Sequence, residues 1–295
     1  MRDIYKEPYQ KFQKLHEQEL RGTEGMEVFL VDYPTNPYYA MAVGQTASWR
    51  PWKHEFKVEE IIEMLDGIAK GKIWAGQVFE SINFTFAIKN ISRATTHQLV
   101  RIRVGAGFMQ ESGREGTWDK APFITPLTIL ENARAHAEYV NMMEWQMTAY
   151  KNLREMGIPP QDARFMYGHG VAQNMWMTIN FRALQEWCSK RLCTNMQWEI
   201  NTLARMCRDA VLEKFPHLGI LLKSHCERSG GHKAHDNTNY YAPGAENNGN
   251  KLYYELDKVG DAVMCGKAGK YSEEEIASAL QAERENLEKN GFNKE

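Results

Sequence analysis

The sequence predicts a fold that mixes strands with helices. Three observations carry that prediction: a short apolar run near residue 30, an alternating stretch from residue 82, and two long segments with helical apolar spacing in the second half. Taken in order, residues 1 to about 25 are polar and charged and read as a helical lead-in. Val28-Phe29-Leu30-Val31, bounded by Asp32 and Pro34, reads as a short buried strand. Over 57–70, Val58, Ile61, Ile62, Leu65 and Ile68 recur at helical spacing and Gly71 stops the run. Ile82, Phe84, Phe86 and Ile88 then alternate with Asn83, Thr85, Ala87 and Lys89, the pattern of a strand with one buried face. Residues 91–103 begin in helical character and end in extended character. A long helix is expected from Thr125, which can cap it, through Pro126, which suits its first turn, to Gly157, which closes it. A second long helix is expected from about Ala183 to Lys214, ended by Pro216. No internal repeat is visible. Beyond about residue 229 the chain turns rich in Gly, Asn and His, as a surface loop, before a final charged helix suited to solvent or a subunit contact.

Composition narrows the functional classes. The 295 residues allow one large domain or two modest ones, and 43% hydrophobic with 25% charged residues is the balance of a globular chain with a substantial core. The net charge is −2, so no global field is available to hold a polyanion and any basic site must be local. Mean hydropathy is −0.58 and no apolar run approaches the ~20 residues of a membrane span. The polar N-terminus has no apolar core of a secretory signal. Five cysteines, an odd number without a CxxC pair, suit a reducing cytoplasm better than a disulfide scaffold.

Four clusters carry possible chemistry. In Arg101-Ile102-Arg103, an extended backbone would put both guanidiniums on one face and Ile102 in the core. Gly105, Gly107, Ser112, Gly113 and Arg114 follow, glycines that admit close approach and donors that suit phosphate, or equally a basic hairpin with a flexible turn. On the helix after Asn180, Arg182 and Glu186 share one side, as a surface pair would, and Arg191 lies two and a half turns beyond Arg182. Glu80 precedes a strand, as a solvated end often does. His225, Cys226, His232 and His235 have the chemistry of zinc ligands, but their spacing matches no strong metal pattern, and no metal site is assigned.

Together these segments resemble the flavin-dependent thymidylate synthases over about residues 27–227. The resemblance rests on Phe79-Glu80-Ser81, Phe84-Thr85-Phe86, Gln98, Arg101-Ile102-Arg103, Gln110-Glu111-Ser112-Gly113-Arg114, Ala163-Arg164, Asn180-Phe181-Arg182, Arg191-Leu192-Cys193 and Met196-Gln197-Trp198-Glu199-Ile200, in the family's order. The departures are specific. Ile102 replaces the middle His of the family's Arg-His-Arg, and the loop to Ser112 is one residue longer. Gln110 stands where the family has a displaced Asn-Glu, and Ala75 to Ser81 is a reduced form of its His-x-Thr-Pro-Phe-Glu-His segment. Glu186 and Asn195 replace an Asn and a His.

The resemblance implies an α+β fold, a sheet with antiparallel pairing flanked by the two long helices, assembled as a homotetramer with active sites between subunits. It implies a catalytic domain at 27–228 between the lead-in, 1–26, and a C-terminal extension, 229–295. It further implies C5 methylation of a pyrimidine deoxynucleotide, dUMP to dTMP, with FAD as cofactor and NADPH and methylenetetrahydrofolate as co-substrates. In that setting Arg191 and Ser112 are the catalytic positions. Gln98, Arg101, Gln110, Glu111, Ser112, Gly113, Arg114, Arg164 and Arg191 serve the nucleotide, and Glu80, Arg101, Arg103, Asn180, Arg182 and Glu186 serve FAD. Cys193 is packing rather than a nucleophile. The same chemistry on UMP or dCMP, by methylation or hydroxymethylation, is the alternative within the family. A nucleic-acid-binding protein using the Arg101–Arg114 loop is the alternative outside it, disfavoured by isolated rather than striped basic residues.

Overall fold

The alternating stretch from Ile82 becomes the strand on which the rest is laid. The computed structural model describes residues 12–47, 51–69, 72–73, 76–114, 118, 120–193 and 196–224, with Gln281 and Glu285. In chain order these form β1 (Glu19–Arg21), β2 (Glu27–Asp32), α1 (Pro37–Thr46), α2 (Val58–Ala69), β3 (Asn83–Ser92), α3 (Arg93–Leu99), β4 (Ala106–Gln110), β5 (Phe123–Thr125), α4 (Leu127–Leu130), α5 (Ala133–Glu155), α6 (Pro160–Ala163), β6 (Ala172–Asn180), α7 (Phe181–Arg191) and α8 (Trp198–Lys214). Short 3₁₀ turns at Val78–Ser81, Arg164–Met166 and Pro216–Ile220 complete the described chain. Helices and sheet thus combine as expected. Four strands form one sheet in the order β2-β3-β6-β4, every neighbour antiparallel, and β1 pairs in parallel with β5.

One face of the large sheet is the core. Ile82, Phe84, Phe86 and Ile88 are buried there beside Met175, Met177 and Ile179 of β6, under α2, α7 and α8. Between Ile88 and Ile91 the register slips, and Asn90 takes a positive φ of 56°, a conformation its short polar side chain tolerates. The slip keeps Ile91 buried. A second cluster gathers Phe123, Val140, Met143, Met147 and Tyr150 between α5 and β5. Among the described residues no helix is long and apolar enough to cross a membrane.

Several expected elements are built differently. The lead-in is not helical where it is described: Glu19–Arg21 is a strand, and the buried Glu19 carboxylate meets His136 Nε2 at 2.5 Å. The run at 28–31 is an edge strand rather than a buried one, with only Val28 enclosed and Phe29 and Val31 exposed. Arg101–Arg103 is not extended; α3 ends at Leu99 and the strand begins at Ala106. Even so, Ile102 packs on the core and both arginines stay exposed. The helix expected from Thr125 is two helices, because Asn132 breaks it and accepts hydrogen bonds from the Arg134 and Ala135 amides, a stronger cap than a position inside a helix allows. Gly157 closes α5 with φ +84°. The helix expected over 183–214 likewise divides, since Gln197 accepts from the Ile200 amide and starts α8 anew. The extension over 229–295 and the candidate zinc residues lie outside the described residues, apart from Gln281 and Glu285, which are helical.

The start of α8 is tied to the start of α3 by one enclosed carboxylate. Glu199 Oε1 accepts from the Ser92 amide and Oε2 from the Ser92 hydroxyl, each at 2.5 Å, while Ser92 Oγ accepts from the Thr95 amide and caps α3. Burial pushes the Glu199 acid above its ordinary value, and hydrogen bonds from Ser92, Thr95 and Gln197 oppose that rise. Removing the carboxylate orphans buried donors at about 1–3 kcal/mol each. Glu199→Ala is therefore expected to lower unfolding stability by about 3 kcal/mol in denaturant titration. An acid raised on folding contributes most below its unfolded value and less as pH climbs through its folded one. Glu199→Gln, which cannot ionise, should lose less stability than Ala and should flatten that decline above pH 4.5.

Candidate active site

The end of α3 and one long face of α7 border a common space. Gln98 on α3, Arg101, Ile102, Arg103 and Val104 in the turn after it, and Ala183, Glu186, Trp187, Lys190 and Arg191 on α7 line a cavity of about 360 Å³. That volume is at the small end of ligand sites, which run from about 300 to 1,000 Å³. Three arginines and a lysine face one carboxylate, so the wall favours an anionic ligand. Gln98 Nε2 lies 3.4 Å from Gln197 Oε1, linking the rim to the Glu199 lock. Arg191 sits at the last position of α7, its Nη1 donating to Met196 Sδ at 3.5 Å, and Asn201 Nδ2 donates to its carbonyl at 2.7 Å.

Asn180 holds the mouth of the cavity in shape. Its Oδ1 accepts from the Ala183 amide as the cap of α7, and its own amide donates to the Gly105 carbonyl at 2.7 Å. Gly105 adopts φ +76° against this cap. Arg182 meets Glu80 at 2.5 Å and Glu186 at 3.7 Å, exposed pairs of the kind that add little stability; Glu186 lines the cavity, and Arg182 and Glu80 stand beside it.

The glycine-serine segment lies elsewhere in the chain. Glu111 and Asn174 join backbones, and Glu111 Oε2 accepts from the Asn174 amide at 3.1 Å. Gln110 Nε2 donates to Gln173 Oε1 at 2.9 Å, and Ser112 Oγ accepts from the Arg114 amide at 3.2 Å. A Cβ placed on Gly113 would stand 3.4 Å from Arg164 Cδ, so Gly113 and Arg164 adjoin. Arg164 Nε donates to the Gln161 carbonyl, which leaves the rest of its fork exposed. β4 separates this group from the cavity: Ala106 opposite Ile179 is at one end, Gln110 opposite Met175 at the other, four steps or about 14 Å apart.

The structure therefore gathers Gln98, Arg101, Arg103, Glu186 and Arg191, sets Glu80, Asn180 and Arg182 beside them, and keeps Gln110, Glu111, Ser112, Gly113, Arg114 and Arg164 apart. The sequence reading did not assign Val104, Trp187 or Lys190 to the site. Trp187 is buried, its indole N–H without a hydrogen-bond partner among the described residues. Lys190 was legible, one turn from Glu186 on the same side. Among the described residues no group of three or more His, Cys, Asp or Glu is placed to hold a metal.

An antiparallel sheet whose flanking helices frame a small, arginine-walled cavity, with a second basic group beyond its edge strand, has the shape and charge to suit a planar anionic ligand. Residues 29–217, well over half the chain, match the family described as thymidylate synthase complementing protein, and the chain belongs to it. Among similar proteins, the flavin-dependent thymidylate synthase of Nitratidesulfovibrio vulgaris is 36% identical over 163 residues, covering 51% of this chain and 64% of its own. That of Geobacter sulfurreducens is 29% identical over 186 residues, covering 61% and 79%. That of Sulfurisphaera tokodaii is 33% identical over 201, covering 65% and 76%. The chain thus spans just under two thirds of the first relative's length and more of the others. Among solved structures, the UMP/dUMP methylase PolB from Streptomyces cacaoi bound with 5-Br dUMP aligns with a TM-score of 0.56 at 20% identity, covering 66% of this chain and 92% of that one. At that identity the likeness is one of fold.

Gly105 gives the geometry a direct test. A Cβ there would fall 2.6 Å from both terminal atoms of the Asn180 amide, and φ +76° already disfavours a side chain. Gly105→Ala is expected to displace the α7 cap, costing about 1–2 kcal/mol of stability, measured by thermal unfolding, with Asn180→Ala giving a loss of similar size.

Proposed function

We propose that this chain is a flavin-dependent methyltransferase acting at C5 of a pyrimidine nucleoside monophosphate, dUMP to dTMP, with FAD as cofactor and NADPH and methylenetetrahydrofolate as co-substrates. The observation that carries the proposal is the convergence of Gln98, Arg101, Arg103 and Arg191, residues up to 93 positions apart in sequence, on one cavity. Family membership and the relatives' names support the same chemistry.

The residues present fit a flavin. The cavity is of a size for one ring system and part of a second, its wall is cationic as a reduced, anionic ring needs, and the enclosed Trp187 indole N–H stands at that wall without a partner among the described residues. Arg103, Asn180, Arg182, Glu80 and Glu186 would hold the cofactor, which supplies hydride and carbon-transfer chemistry when bound. Arg101 would bridge cofactor and nucleotide. Gln98 would hydrogen-bond the base, its carboxamide set against Gln197. Arg191, anchored through its main chain to Asn201, would present a planar fork to the pyrimidine edge and stabilise negative charge as the ring is polarised. Among the described residues no thiol is offered to the cavity: Cys188, Cys193 and Cys207 are buried, and burial pushes the Cys207 thiol well up.

Ser112, Gly113, Arg114 and Arg164 would hold the 5′-phosphate. Because β4 keeps them from the cavity of their own subunit, we assign them to the cavity of a neighbour in a homotetramer. An apolar row across the open sheet face supports such a contact: Phe29, Ala87, Trp176 and Met109 stand side by side in register, the three large ones exposed. We place the enzyme in the cytoplasm, where the thiols stay reduced. Glu186 puts a carboxylate acceptor in the cavity, which favours dCMP, whose amino group donates, as the second substrate to assay beside dUMP and UMP.

The test has three arms. Reconstituted with FAD, the protein should show flavin absorbance and quenched fluorescence; absence of titratable flavin at micromolar concentrations overturns the proposal. Arg191→Lys keeps charge but not the fork and should retain FAD while losing about a hundredfold or more in turnover. Arg114→Ala or Arg164→Ala should weaken nucleotide binding by about ten- to a hundredfold with flavin affinity little changed. Wild-type turnover in a flavin-loaded Arg191→Lys variant would remove that residue from the site.

A further inference from the structure

Beside the cavity lies a group of basic side chains of which only Arg101 has a task in the proposed reaction. Arg93 and His97 belong to α3, Arg101 follows it, and His169 lies in the turn before β6. The rings of His97 and His169 meet edge to face, centroids 5.6 Å apart and planes at 88°. Main-chain bonds hold the two segments together: the Arg93 amide donates to the Val171 carbonyl at 3.0 Å, and the Ala94 amide to the His169 carbonyl at 3.2 Å. The pairing of the imidazoles is thus set by the backbone as well as by side-chain choice.

The charge around them is one-sided. Partial burial, then Arg93, His169 and Arg101, hold the His97 imidazole below its ordinary value, and no carboxylate acts in the opposite sense. Among the described residues Arg93, His97, Arg101 and His169 form no ion pair. Two guanidiniums acting on one imidazole without a counter-ion make its protonation costly, and a bound anion offsets that cost. Two guanidiniums and two imidazoles together supply the donors of a phosphate site: planar forks that are always charged, and rings that gain a second donor on protonation.

We propose that Arg93, His97, Arg101 and His169 form a phosphate site, distinct from Ser112–Arg114 and Arg164, that adjoins the cavity through Arg101. Its occupant is either free phosphate or the second phosphate of a nucleoside diphosphate held in the cavity; the diphosphate case rests on the proposed function, the free-phosphate case does not. Binding couples to protonation. A dianion cancels the field of Arg93 and Arg101, so His97 takes up a proton as the anion enters, and affinity for a given anion species rises as pH falls through the imidazole range.

The test follows the His97 Cε1–H resonance, assigned by its loss in His97→Gln, through a pH titration of the full-length protein. With inorganic phosphate, the His97 midpoint should rise by about one unit, as an opposite charge a few ångströms away produces. That rise should vanish in Arg93→Gln, whose main-chain bond to Val171 is kept. No rise with either phosphate or dUDP overturns the site, as does an equal rise in Arg93→Gln. dUMP bound at saturation should leave the midpoint near its free value; a rise as large as that with phosphate would make this the 5′-phosphate site and overturn its separateness. If dUDP binds about tenfold more tightly than dUMP in calorimetry and the advantage disappears in Arg93→Gln, the occupant is the nucleotide's second phosphate. Equal affinity with a phosphate-induced rise identifies free phosphate. Failure of dUMP to bind at all defeats the proposed function and leaves the inorganic phosphate result to decide the site.

Discussion

Glu199 gives both carboxylate oxygens to Ser92, and through that residue the first turn of α8 fixes where β3 ends and α3 begins. From there the consequences run outward. α3 sets Gln98 and Arg101 at the rim, and Gln197, which caps α8, lies against Gln98 from the other side. Asn201, on the same helix, donates to the Arg191 and Cys193 carbonyls and so anchors the end of α7. One helix start therefore holds the two elements that border the cavity. An enclosed acid is costly unless its hydrogen bonds are complete, and here they are numerous enough that every donor lost is felt at the rim.

Much of the fold was legible because its signals are local. The alternation at 82–88 and the spacing at 58–68 each became the element they describe; Ile82, Phe84, Phe86, Ile88, Val58, Ile61 and Ile68 are buried, while Ile62 and Leu65 are only partly so and Met64 and Thr85 are enclosed as well. Where the reading failed, a competing local bond prevailed. Asn132 and Gln197 each satisfy helix-start amides, so two long apolar patterns became four helices. β6 went unread although Met175, Met177 and Ile179 alternate, because methionine, glutamine and asparagine carry little strand preference. The edge placement of β2 depends on which strand pairs with which, and no local pattern encodes that.

The site was legible as a set of residue types but not as a place. Arg101, Arg103 and Arg191 meet in one cavity because the turn after α3 lies against α7, a contact between residues some 90 positions apart. The same long-range geometry puts Ser112 and Arg164 beyond β4, a separation that motif order conceals and that gives the proposed tetramer its chemical purpose. The departures from the family acquire physical meaning in this frame. Ile102 packs on the core and lends the cavity wall an apolar side chain in place of a donor, and Glu186 brings a carboxylate into an otherwise cationic wall.

The central claim is that flavin and pyrimidine share this one cavity. Titrating dUMP into the flavin-loaded protein, while recording the visible absorption of the oxidised flavin, tests it most directly. A base stacked against the ring must perturb that band, so the account predicts a saturable difference spectrum, abolished by Arg191→Ala although flavin remains bound. Tight dUMP binding with an unchanged flavin spectrum would place the two ligands in separate sites and contradict it.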